Sequence, residues 1–340
     1  MRNETRAKFN AYVAQIGKLN LIADASVKFN VQPTVQQTLE TKMQESSDFL
    51  SKINIIGVTE MQGDKLGLGI GSPIASNTDT SNKDRQTKDP TNMDERGYLC
   101  RKNNSDTHIT YAKLDLWAKF PDFQTRIRDA ILRRQALDRI TIGFNGVSYS
   151  ADSDIATNPL LQDVNIGWLQ KYRSEAPERV LSEVVAASGQ VRAYEGGDYA
   201  NPDALVYDAV NNLIEPWYRE DTELVVIAGR DMLADKYFPL VNQNIAPSET
   251  LAADMIISQK RMGGLQVVRA PFVPAGALLI TRLDNLSIYF QEGARRRHLM
   301  DNPKRDRIEN YESSNDAYVV EDYGMGCLIE NIVTEAPATP

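Results

Sequence analysis

Apolar residues Phe9, Tyr12, Val13, Ile16 and Leu19 recur at steps of three and four, which puts them on one face of a predicted helix. Its other face is polar and mostly basic. A second helical period follows Pro33, a residue suited to a helix start, through Val35, Leu39 and Met43, with Ser46 or Leu50 next in register. Ile53, Ile55, Ile56 and Val58 then predict a short strand.

The pattern changes over residues 60–107. Gly63, Gly67, Gly69 and Gly71 lead into the polar tract SNTDTSNKDRQTKDPTNMDERG, which cannot bury enough apolar surface to fold alone. With LGLGI and HITYAKLDLWAKF as pairing flanks, the segment is expected to be an extended β-hairpin that needs a partner surface. After Pro121, DFQTRIRDAILRRQALDRITIGFNG predicts one long helix capped by Asp122 and stopped near Gly143. Its apolar face holds Phe123, Ile127, Ala130, Ile131, Leu137 and Ile140, and its opposite face Arg126, Arg133 and Arg134. Leu161, Val164, Trp168, Leu169 and Tyr172 predict a further amphipathic helix, bounded by Pro177.

A Gly196–Gly197 turn precedes Asn201–Pro202, an N-cap and first-turn proline, and Leu205, Ala209, Val210 and Leu213 on a helix. Strands then alternate with helices: LVVIAG, DMLADKYFPLV, ADMIISQKRM, LQVVRAP, ALLITR and LSIYF. β character returns in DAYVVEDY and GCLIENIV. This is mixed α/β or α+β patterning, and no repeat at a solenoid period interrupts it.

The 340 residues suffice for roughly two domains of about 150 residues. A net charge of −8 argues against a chain that adheres to nucleic acid as a whole. Cys100 and Cys327 alone make neither a disulfide framework nor a zinc knuckle, and a reducing place of synthesis is expected. No apolar run approaches the roughly 18 residues of a membrane span, and MRNETRAKFNAY lacks the apolar core of a signal peptide, so neither insertion nor export is expected.

Candidate chemistry is sparse. GLGIGSP (67–73) lacks the GK[ST] of a P-loop, the remaining glycine of a dinucleotide fingerprint, and a following apolar-periodic helix. The two histidines, His108 at a strand start and His298 beside Arg295, Arg296 and Arg297, are read as structural. Asp231 and Asp235 after LVVIAG superficially resemble a switch-point pair, but the acidic start of an amphipathic helix, favoured by the macrodipole, is the better explanation.

Charge distribution is the more unusual feature. Residues 1–30 carry five basic against two acidic groups, a net of +3. Residues 295–307 carry six basic groups against two acidic, and from Glu309 onward come seven acidic groups with no Lys or Arg. Two solvated faces are one reading; complementary patches that meet between copies, involving Arg295, Arg296, Arg297, Glu309 and Glu312, are the other.

In order along the chain, MRNETRAKFNAY, KMQESSDFLSKINI, SPIASNTDT, LDLWAKF, DFQTRIRDAI, NPLLQDVNIGWLQKYRSEAP, GGDYANPDALVYDA, NNLIEPWYRED, LVVIAGRDMLADKYFP, LAADMIISQKR, NLSIYF and RIENYESSNDAYVVEDY resemble the major capsid protein of P2-type tailed bacteriophages. The resemblance runs to about residue 330. It implies an α+β fold of the Hong Kong 97 type: an N-terminal arm (1–59), an E-loop hairpin (60–107), a peripheral domain with a long spine helix (108–197), an axial domain (198–320) and a C-terminal return (321–340).

The function implied is a structural one, without catalysis or cofactor. Copies would form pentamers and hexamers of an icosahedral head, with an internal scaffolding protein, a maturation protease, a portal at one vertex and double-stranded DNA inside. Processing would remove an N-terminal piece, and the extended junction around Phe29, Asn30, Val31, Gln32 and Pro33 is the candidate region. Lys83, Arg85 and Lys88 on the hairpin are candidate subunit contacts; no motif supplies an acceptor for a lysine cross-link. An encapsulin-type compartment protein is the alternative within the fold, and an α/β enzyme the alternative outside it.

Overall fold

The computed structural model describes residues 1–65, 69–70, 75–87, 91–92, 97–120, 122–233 and 261–335. The first helix, α1 (Asn3–Leu19), buries Ile16, while Leu19 at its end is exposed. Strand β1 (Phe29–Asn30) leads into α2 (Pro33–Glu45), with Pro33 in its first turn as the sequence predicts. Strand β2 (Asn54–Val58) follows. Two short ladders then make the hairpin: β3 (Gln62–Asp64) pairs with β6 (Gly97–Leu99), and β4 (Gly69–Ile70) with β5 (Thr91–Asn92).

HITYAKLDLWAKF does not flank that hairpin. Its first residues are β8 (Thr107–Thr110), beyond β7 (Arg101–Asn104), and both pair with a late strand; Tyr111–Trp117 is helix α3. The long helix α4 (Phe123–Asn145) runs three residues past its expected stop to a C-cap at Gly146. Asp122 precedes it but makes no side-chain cap, accepting instead from Arg126 Nε at 2.7 Å. The next amphipathic pattern is helical only over α5 (Trp168–Glu175), because Leu161 takes a positive φ of 57° and the segment before Gly167 is a series of turns.

After β9 (Val180–Leu181) and β10 (Val191–Arg192), α6 (Pro202–Leu213) starts as predicted, with Asn201 Oδ1 accepting from Ala204 N at 2.9 Å. Strands β11 (Val225–Ala228), β12 (Arg261–Met262), β13 (Leu265–Arg269), β14 (Leu278–Thr281), β15 (Leu286–Gln291), β16 (Arg296–Asn302), β17 (Arg307–Val320), β18 (Cys327–Ile329) and β19 (Ile332–Val333) complete the chain. The helix expected in ADMIISQK and most of that in DMLADKYFPLV lie outside the described residues.

The strands sort into two principal sheets. One has the order β1-β16-β17-β15-β2 with β7 and β8 also on β17; the other runs β12-β13-β11-β14-β18-β9. Residues 286–320 therefore belong with the strands near the N-terminus, and the expected 198–320 segment divides between two sheets. β11 explains how the halves join. Val225 and Ile227 enter one core with Trp168, Tyr172 and Ile288, whereas Val226 and Ala228 enter the other with Leu205 and Ala209 of α6. Period-two alternation thus buries both faces of this sheet, which is why LVVIA is uniformly apolar.

Candidate assembly surfaces

The basic and acidic runs meet within one chain. A short 3-10 turn at Pro303–Arg305 and a left-handed Asp306 (φ 47°) reverse the backbone, so β16 and β17 pair antiparallel with Arg297 opposite Glu312 and Arg296 opposite Ser313. Asp tolerates that conformation better than most residues. The six-basic and seven-acidic runs are accordingly neighbours on one hairpin, and the expectation that Arg295, Glu309 and Glu312 meet other copies gives way to contacts inside the chain.

Arg295 is the centre of those contacts and is 2% exposed. Its Nε donates to Glu312 Oε1 at 2.7 Å and its Nη1 to Glu40 Oε1 at 2.7 Å, on α2. Arg139, from the spine helix α4, bridges Glu40 and both carboxylate oxygens of Asp316, the latter at 3.2 Å. Gln135, one turn earlier, donates to Glu312 and accepts from Arg295. Three segments distant in sequence are locked by one buried cluster: the arm helix α2, the spine helix and the β16–β17 hairpin.

Three carboxyls face two guanidiniums in this cluster, and the protonation balance follows. Burial pushes Glu40 up, but Arg139 and Arg295 outweigh it and hold the carboxyl below the ordinary glutamate value. Burial likewise opposes Arg295 and Arg297 at Glu312, with the same net lowering. For Asp316 burial wins over Arg139, so this carboxyl is raised. Glu309 is also satisfied locally, accepting from Arg307 Nε at 2.6 Å and from the Tyr311 hydroxyl at 2.7 Å. Arg296 is exposed, and Arg297 donates to Asn310 Oδ1 at 2.7 Å and reaches the Tyr12 hydroxyl of α1.

The arm folds back on its own chain. Arg6 pairs with Asp301 at 3.1 Å, Lys8 Nζ donates to Ala118 O at 2.7 Å, and Gln124 Nε2 donates to Lys8 O at 3.0 Å. Ile16 packs with Phe29, Val31 and Leu299. The expected processing region is extended but engaged: Phe29 and Asn30 pair with Arg297 and Arg296, and Val31 N donates to Arg295 O at 2.8 Å. Gln32 N donates to Asn20 Oδ1 at 3.1 Å, and Pro33 opens α2. Phe29 and Val31 are buried, while Leu21 and Val27 in the preceding loop are exposed.

On the hairpin, Lys83 and Arg85 are exposed, next to a turn in which Asp79 accepts from Ser81 N at 3.0 Å. Lys88 lies outside the described residues, as does most of GLGIGSP. A groove of about 880 Å³ runs between the spine helix and β7–β8, and its floor is the paired cluster just described, with no unpaired acid or base among Arg139, Arg295, Glu312 and Asp316. His298 Nε2 lies 2.8 Å from Ser26 O; Asp235 is outside the described residues. Among the described residues no group of three His, Cys, Asp or Glu could hold a metal ion, and no helix is long and apolar enough to cross a membrane.

The sequence reading overlooked Glu40, Gln135, Arg139 and Asp316. A signal was present: Gln135 and Arg139 stand one turn apart beside the buried Leu132, Ala136 and Ile140, and Glu40 lies one turn after the buried Gln36. Polar groups at stripe positions of facing helices ask for partners.

Comparison with known proteins gives a consistent result. The family described as phage major capsid protein, P2 family, matches residues 8–332. The chain is 56% identical over 348 residues to the capsid proteins of Escherichia phage P2, covering 100% of this chain and 98% of that one. It is 43% identical to the major capsid protein of Serratia phage KSP20, with 99% of each chain covered. A chain in the solved satellite phage P4 procapsid, which includes the size determination (Sid) protein, superposes with a TM-score of 0.83 at 54% identity, covering 98% of this chain and 99% of that one.

Proposed function

This chain belongs to the P2 family of phage major capsid proteins, and from that membership we propose how its copies build and fill the shell. It is a structural subunit of the phage virion, with the Hong Kong 97-type capsid fold. The observation that carries this is the family match across 8–332 together with 56% identity to a phage capsid protein over the whole chain.

The finer assembly reading is ours. Pentamers and hexamers of the chain close into an icosahedral head around an internal scaffolding protein, and one vertex is given to a portal. The exposed groups Lys83, Arg85 and Arg296 are available for contacts between copies, as charged rims steer docking without supplying most of its affinity. A maturation protease removes the arm near Phe29–Pro33. The net charge of −8 suits a container for double-stranded DNA, because a lining that neutralised phosphates would release counterions and bind the duplex in place.

The test is electron microscopy of the chain co-expressed with its scaffolding protein. Uniform closed shells are expected; a persistent monodisperse monomer under those conditions would overturn the assembly reading. Mass spectrometry of mature heads would overturn the processing step by finding Met1 intact.

A further inference from the structure

A lysine is among the least frequent residues to be fully buried, because its ammonium must find acceptors to replace water. Lys65, the residue after β3, is 6% exposed. Its ammonium donates to Val320 O and, at 3.2 Å, to Glu321 O, and stands 5.0 Å from the ring centroid of Tyr323. Those acceptors occupy a special place in the topology. Val320 is the last residue of β17 in the first sheet, Tyr323 opens the turn that follows, and Cys327 begins β18 in the second sheet. Lys65 thus ends at the crossover between the two sheets.

The other strand of the hairpin base reaches the same spot. Tyr98 of β6 packs edge-on against Tyr289, with ring centroids 5.0 Å apart, and the Tyr289 hydroxyl donates to Glu321 at 3.0 Å. The crossover is itself pinned: Glu321 N donates to Asn285 O at 2.9 Å, Asp322 N to Asn285 Oδ1 at 2.7 Å, and the Tyr323 hydroxyl to Glu175 of α5 at 2.6 Å. Among the described residues, the three-residue β3–β6 ladder and the Cys100 N to Met61 O bond close the hairpin base on itself.

We propose that Lys65 is a latch that fastens the base of the hairpin to the crossover between the two sheets, so that a change in hairpin direction and a change at the crossover occur together. The chemistry is directional. The Val320 and Glu321 carbonyl oxygens and the face of Tyr323 stand in for water around the ammonium, and no apolar side chain of that length satisfies both. The latch concerns the mechanics of the single chain and stands apart from the shell assignment.

Hydrogen exchange of the full-length, unassembled chain tests it. Lys65→Met keeps the stem and removes the ammonium; roughly tenfold faster exchange is expected at the Leu99 and Cys100 amides and also at Glu321 and Asp322, with Ile288 and Tyr318 unchanged. Lys65→Gln, which retains N–H donors without the charge, is expected to fall between, and it carries the comparison if Lys65→Met does not fold. Lys102→Met, at an exposed site on β7, should match the wild type. Wild-type exchange at both places, or acceleration confined to the hairpin, would overturn the latch. Because the readout needs no shell, failure of the assembly reading would leave this result intact and separately visible.

Discussion

Gly143 lies against the indole of Trp168 so closely that a β-carbon at position 143 would stand 2.2 Å from the ring. Trp168 is fully buried and anchored by its Nε1 donating to Ser287 O at 3.1 Å, so the spine helix, α5 and β15 meet there without slack. Gly143→Ala gains about 1 kcal/mol in helix propensity but forces the indole to move, at a cost of about 1–3 kcal/mol. A lowered thermal midpoint is expected in calorimetry. An unchanged or raised midpoint would show that the ring can shift freely.

Breaking the buried cluster should cost more than any surface pair. Arg139→Met leaves Glu40 and Asp316 buried without their bridging cation, for an expected loss of about 3–5 kcal/mol. Urea unfolding reads this directly. The exposed Arg6–Asp301 pair, replaced in the same way, is expected to change the midpoint little.

Asp316 should have the opposite pH signature to its neighbours. Its folded-state value is raised, so its contribution is fully present below the unfolded aspartate value and is lost as pH rises through the folded one. Glu40 and Glu312 are lowered, and theirs is present above the unfolded glutamate value and lost as pH falls through the folded one. Asp316→Asn should therefore gain on the wild type as pH rises from 4 toward neutrality, whereas Glu312→Gln should lose ground. Denaturant midpoints across that range decide it; parallel curves would contradict the assignment.

Access to the processing region should be set by how firmly β1 holds to β16. Phe29→Ala removes a buried ring from the core shared with Ile16 and Leu299, at a cost of about 3–5 kcal/mol to that local packing. A broad-specificity protease, followed by mass spectrometry, is expected to cut the exposed positions 26–28 first in the wild type and to reach 29–33 markedly faster in Phe29→Ala. Equal rates at 29–33 would mean that pairing with β16 does not protect it.

Both thiols should be inert in the native chain. Burial pushes Cys100 up to about 12, with Asp316 adding to it, and burial pushes Cys327 to about 12 against a small opposing effect of Arg179. Iodoacetamide at pH 8 is expected to label neither until the chain is denatured. Rapid native labelling of one would identify local opening of its strand.

Local elements were largely legible. The starts at Pro33 and Asn201 follow from a fixed φ and a side-chain acceptor three residues before an orphan N–H, both of which depend only on neighbours in sequence. The failures also have local causes. HITYAKLDLWAKF carries strand-like alternation at its start and a helical period after Tyr111, and treating it as one strand joined two elements. Gly143 signals a helix stop in the sequence, since a glycine inside a helix is usually a penalty; in the fold the space it leaves is filled by Trp168.

The order of apolar stripes, the family resemblance and the alternation of charge along the chain were determined by the sequence itself, since each is a property of spacing or residue identity. Which charges meet was decided only by the tertiary structure. Arg295 and Glu40 are 255 positions apart, as are Lys65 and Val320, and each pair exists because separate sheet registers carry the partners to one point. A net charge or a run of arginines does not specify its partner, whereas burial does: once water is removed, each ionised group must be matched by whichever opposite charge or carbonyl the fold has placed within reach.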